Sequence, residues 1–118
     1  MPSSNSPERQ HLEWDVETDS DVQDVTIVRL RGSAGVGSEA EFASCIRAIE
    51  RLQSSAVVLE LSQLTFISSA VMGGLIVLKK SIENRHGSLQ LAHVPPLILK
   101  SLHATRLDTI FDILGQQQ

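Results

Sequence analysis

The chain has 118 residues, enough for one domain with a single buried core. Its net charge of −4, single tryptophan, three phenylalanines and lack of tyrosine exclude the basic groove and stacking aromatics of a nucleic-acid surface. Cys45 is the only cysteine, which rules out an internal disulfide and a cysteine-built metal site, and no apolar run approaches the ~18 residues of a membrane helix.

Residues 1–10 hold three serines and two prolines with no apolar period and read as a loose tail, leaving 11–118 as the domain. No basic and apolar leader precedes them, so a cytoplasmic protein is expected. From Leu12 to Asp24 apolar Leu12, Trp14 and Val16 alternate with Glu13, Asp15 and Glu17, as in an exposed edge strand blunted by charge. The seven acidic residues before Val25 are either a solvated edge or a dock for a basic partner. Val25 to Arg31 alternates as a second strand. A turn with Gly32, Gly35 and Gly37 follows and reads as a flexible connection, since no phosphate-binding glycine pattern is present. Ser38 and Glu41 give the S-x-x-E pattern of a capping box. Phe42, Cys45, Ile46, Ile49 and Leu52 then trace an amphipathic helix, with Cys45 as a small core residue.

The stretch from Val57 to Ile82 organises the rest. Val57 to Leu61 is a short β-branched run that predicts an interior strand covered on both faces. Ser68 and Ser69 are the residue type that starts helices, and Val71, Leu75, Leu78 and Ile82 recur at helical spacing, predicting a helix over Val71 to Arg85 packed on the sheet. Gly74 sits at the edge of that stripe, where a missing side chain lets helix and sheet approach; Gly73 opens the surface beside Ser69. Ile76 and Val77 fall away from the stripe beside Lys80, either covered by a neighbouring helix or left as an exposed apolar patch. His86 and Gly87 end the helix, Leu89 and Leu91 mark a strand, and Pro95 or Pro96 starts a third helix carrying Leu97, Ile98, Leu99 and Leu102. Leu107 to Leu114 fits a short strand or a helical turn. The order strand, strand, helix, strand, helix, strand, helix predicts a single α/β domain with helices packed against a mixed sheet.

The run VVLELSQLTFISSAVMGGL resembles the signature of STAS domains, the fold of bacterial anti-sigma factor antagonists: a buried strand, a D-x-S-x-x-x-x-D-S-S-G-L-G-like loop and a helix. HGSLQLAHVPPLILKSLHATRLDTIFDIL is similar to the family's G-x-L-x-L-x-x-x-x-P strand and helix and its T-G-L-D-x-x-F-x-I ending. The resemblance spans Asp24 to Leu114. It implies that Ser69, with Ser68 and Ala70 beside it at the helix start, aligns with the serine that partner kinases phosphorylate. On residue type alone the serine pair reads first as a helix cap, and it is the resemblance that sets the phosphoacceptor reading level with it. Four positions depart from the pattern: Ser68 stands for the usual aspartate, Val71 for the next glycine, Gly35 near where the family's G-E-L-D turn carries an acid, and Arg106 for the glycine of T-G-L-D, where an altered turn is expected.

Enzymatic chemistry has little support. The four histidines fall in different elements without metal-ligand spacing, G-x-S-x-G is absent, and no cofactor is implied. The resemblance therefore implies a regulatory protein-binding module acting in transcription regulation and signal transduction. It would engage a kinase-like anti-sigma factor or related switch protein through a surface with Gly73, Ile76, Val77 and Lys80. Two alternatives stand beside it: a STAS accessory subunit of a lipid-type ABC transporter, and a small module sensing an anion or nucleotide.

Overall fold

Five strands form one mixed sheet, and their order across the sheet is their order in the chain. The computed structural model describes residues 11–18 and 24–115. The segment 1–10, read above as a tail, lies outside them. β1 (Leu12–Thr18) runs antiparallel to β2 (Val25–Ala34); β3 (Ala56–Ile67), β4 (Ser88–Ala92) and β5 (Asp112–Ile113) then run parallel to β2. The connections carry α1 (Glu39–Leu52), α2 (Ser69–Asn84) and α3 (Pro96–Ala104), the last followed by a 3₁₀ turn at Leu107–Thr109.

Parallel crossovers are right-handed, and here every step moves the same way along the sheet, so all three helices land on one face. Burial follows that geometry. Thr26, Val28 and Leu30, then Val57, Leu59 and Leu61, then Leu89 and Leu91 point into the core. Ile27, Arg29, Val58, Glu60 and Gln90 alternate with them and stay partly exposed on the other face. β3 is interior, as expected, but it is not covered on both faces. It also runs on to Ile67, well past Leu61, because Leu64 and Ile67 keep reaching the core while Ser62, Gln63 and Thr65 face water.

Polar pairs cross the open face. Glu17 meets Arg29 at 2.6 Å, Arg31 meets Asp15 at 3.0 Å and Glu13 at 3.7 Å, and His93 Nδ1 lies 2.8 Å from Glu60. The acidic side of β1 is thus matched by arginines of the neighbouring strand.

Several local expectations need correction. The Ser38–Glu41 capping box does not form: the buried Ser38 hydroxyl donates back to Ser33 O at 2.9 Å, and Glu39 Oε1 instead accepts from Gly37 N–H at 2.9 Å. Phe42, Cys45 and Ile49 face the core while Leu52 is exposed; burial pushes the Cys45 thiol up to about 12, as befits a core residue. In α2, Val71, Leu75, Leu78 and Ile82 are buried as the spacing predicts, with Met72 added. A Cβ on Gly74 would stand 2.5 Å from the Phe42 ring, so this glycine admits helix α1 rather than the sheet. In α3, Pro96 is the first residue and Ile98 and Leu102 fill the core, but Leu97 turns outward. The chain end contains both a helical turn and a two-residue strand.

Arg106 was expected to mark an altered turn. It keeps the left-handed conformation instead, at φ +63°, held by its N–H donating to His103 O and by Thr109 Oγ1 donating to its carbonyl. A Cβ costs about 1–2 kcal/mol in that region, against a smaller entropic gain for glycine in the unfolded chain. Arg106→Gly is therefore expected to raise the unfolding free energy by about 0.5–1 kcal/mol in urea titration. A loss of stability would mean that the arginine side chain anchors the turn.

Candidate functional site

The C-terminal ends of β2 and β3 lie side by side, with Ala34 opposite Ile67, and helices α1 and α2 both begin from that end. Ser68 N–H donates to Ala34 O at 2.9 Å, which ties the start of α2 to the end of β2. Ser68 has extended backbone, and its hydroxyl accepts from Val71 N–H at 3.2 Å. Its side chain is committed to capping the helix. Ser69, the first helical residue, is exposed, as is Ala70, and among the described residues the Ser69 hydroxyl has no hydrogen-bond partner. The serine pair therefore divides its roles: one caps, the other is free. The first turn of α2 carries no acidic side chain.

Ser69, Gly73, Ile76, Val77 and Lys80 share the side of α2 opposite its buried stripe. Gly73 faces open space: a Cβ there would meet nothing within 4 Å. Val77 is 67% exposed and Lys80 is exposed. Ile76 is only partly buried and packs against the core cluster, so the pair does not form a shared exposed patch. At the far end of α3, Thr105 Oγ1 touches Met72 Sδ at 3.9 Å, which holds α3 against the first turn of α2.

Two exposed apolar residues stand at this end of the sheet. Val36, at the tip of the β2–α1 turn, is 93% exposed, and Phe66, near the end of β3, is 50% exposed. A Cβ on Gly35 would lie 3.3 Å from the Phe66 ring, so the ring lies over that glycine and buries it. The sequence marks neither, since a single apolar residue between two glycines, Gly35-Val36-Gly37, is ordinary in a solvated connection.

Elsewhere, His103 Nδ1 lies 2.8 Å from Asp108, beside a cleft of about 610 Å³ whose walls include Leu99, Lys100, Phe111 and Ile113. Among the described residues no three His, Cys, Asp or Glu side chains gather as a metal site. No described helix is long and apolar enough to cross a membrane.

A family model described as STAS domain matches residues 13–116. No curated protein sequence matches the chain. Among solved structures it resembles an anti-sigma factor antagonist from Mycobacterium paratuberculosis, with a TM-score of 0.77 and 20% identity over 89% of this chain and 86% of that one. It also resembles the anti-sigma factor antagonist SpoIIAA in its unphosphorylated form, with a TM-score of 0.71 and 14% identity over 88% of this chain and 90% of that one. The Bacillus cell fate determinant SpoIIAA in the phosphorylated form gives 0.64 and 16%, over 88% and 93%. At these identities the likeness is one of fold. Together with a family match that runs from β1 past β5, it means that this chain belongs to the STAS domain family.

Proposed function

We propose that the protein is a regulatory protein-binding module of the anti-sigma factor antagonist kind, acting in the cytoplasm on a kinase-like anti-sigma factor or related switch protein. It is not an enzyme in this reading. The contact surface is the outward side of α2, with Val77 and Lys80 as its exposed part, open space over Gly73 and Ile76 at its margin. Ser69 is the proposed phosphoacceptor and switch.

The observation that carries the reading is the exposed Ser69 hydroxyl at a helix N-terminus, without a partner among the described residues, on the same side as the open Gly73 and the exposed Val77. A phosphate at Ser69 would meet oriented N–H groups and the positive end of the helix dipole, favourable by roughly 0.3–1 kcal/mol, so the fold would tolerate it. The added charge of about −2 would disrupt an apolar contact.

Immobilised wild-type protein is expected to retain from native extract a regulator with a kinase-type ATP-binding domain, identified by mass spectrometry and then purified. Val77→Glu, at a position outside the core, is expected to weaken that complex about tenfold or more with an unchanged unfolding midpoint. Undiminished affinity would put the contact on another face. Ile76→Glu is the poorer probe, because its partly buried side chain also serves the core.

A further inference from the structure

We infer that the cleft between α3 and β5 is a binding site for a small amphipathic anion, a monocarboxylate on an aliphatic body. None of the residues that line it belongs to α2, so the inference stands apart from the protein-binding reading above.

The cleft encloses about 610 Å³, within the roughly 300–1,000 Å³ of small-molecule sites. Its apolar walls come from segments that meet only in the fold: Leu99 from α3, Phe111 just after the 3₁₀ turn and Ile113 from β5. Phe111 is 4% exposed and belongs to the core cluster, so that wall is fixed, whereas Leu99 and Ile113 are half-buried and leave apolar surface bare. The chain between the walls is held as well. Ile110 N–H and Phe111 N–H both donate to Leu107 O at 3.0 Å, and Leu114 N–H donates to Leu91 O at 2.8 Å. A cleft already built before its ligand arrives adds little ordering cost to binding.

The polar groups define the charge of the ligand. Lys100, His103 and Asp108 also line the cleft. His103 Nδ1 lies 2.8 Å from Asp108, so that carboxylate already has a partner. Lys100 is exposed and has no carboxylate partner among the described residues, which leaves the unmatched charge of the cleft positive. The surrounding sequence agrees: no acidic residue occurs from Asn84 to Leu107, in a chain whose net charge is −4. A single carboxylate is matched by Lys100. An ammonium would meet the same lysine as a like charge, and a doubly charged phosphate would face Asp108 with one lysine to offset it. The backbone adds a donor. β5 is the last strand of the described sheet, and because Leu114 N–H is spent on β4, strand alternation turns the Ile113 N–H to the open edge, where a carboxylate oxygen can accept it.

The test is an NMR titration of the purified protein with sodium octanoate, which is expected to give saturable shifts centred on Leu99 and Ile113. Affinity should rise about four- to fifteenfold for each two-carbon step from hexanoate to decanoate, as methylenes leave water for the cleft. Octanol and octylamine should both bind more weakly than octanoate. Lys100→Met keeps the aliphatic stem and is expected to keep the unfolding midpoint; it should weaken octanoate about two- to fivefold and leave octanol within about 1.5-fold of wild type. No saturable shift at the cleft, or shifts spread evenly over the surface, would overturn the site. Octylamine binding as tightly as octanoate, or an octanoate affinity unchanged by Lys100→Met, would overturn the inference too, since the lysine would then play no part in choosing the ligand.

Discussion

Leu75→Ala is expected to lower the unfolding free energy by about 2–5 kcal/mol. Leu75 is 1% exposed on the buried stripe of α2, within the one cluster that joins the sheet to the helices. Its neighbour Gly74 already has the Phe42 ring of α1 against its backbone, so helix α1 has little room to close in on a new cavity. The loss should therefore lie above the bare transfer cost of the deleted atoms. A domain of this size has roughly 6–18 kcal/mol in total, so the variant should unfold at much lower urea. Val77→Ala, one helical step outside the stripe, is the control and should stay within about 0.5 kcal/mol of wild type. A Leu75→Ala loss below about 1 kcal/mol would mean that the helix presents a different face to the sheet.

The largest expected effect on binding belongs to Ser69. If the proposed switch operates, Ser69→Ala should bind the purified regulator like wild type and take no phosphate from it. Ser69→Asp should bind about tenfold or more weakly, although a carboxylate carries only part of a phosphate's charge. Ser68→Asp completes the series. Aspartate caps a helix as well as serine does, so the bond from Val71 N–H should survive and the fold should hold. The new carboxylate would stand where a metal or the incoming nucleotide needs one, and phosphate uptake at Ser69 should become faster. Equal binding by all three variants, with no phosphate on any serine of the native protein, would leave a constitutive docking module without a switch.

The β3–α2 junction was legible in the sequence because two independent periods agreed there: a β-branched run, then Val71, Leu75, Leu78 and Ile82 at helical spacing. The family resemblance was carried by the same residues. What the sequence hid was geometry that depends on contacts between segments. The far half of β3 was hidden because Ser62, Gln63 and Thr65 break the apolar run that marks Val57 to Leu61. Ser38 matched a cap pattern, yet its hydroxyl found Ser33 O, a partner five residues back that no helix rule considers. Gly74 was correctly read as a close-approach position, but the approaching group, the Phe42 ring, lies in another helix. Arg106 defied a conformational preference that the surrounding hydrogen bonds outweigh. Val36 and Phe66 were passed over because exposure is a property of the fold and neither residue belongs to a period.

The single tryptophan, Trp14, sits on β1, opposite Leu30 and partly buried against the core. Among the described residues β1 is an edge strand whose only sheet partner is β2, and it is the one antiparallel member of the sheet. Indole emission therefore reports the docking of a single edge strand, while far-ultraviolet circular dichroism is dominated by the three helices. The molecule carries two clocks, one for each side of its architecture, and a folding experiment that follows both can time the arrival of β1 separately from the closure of the helical layer.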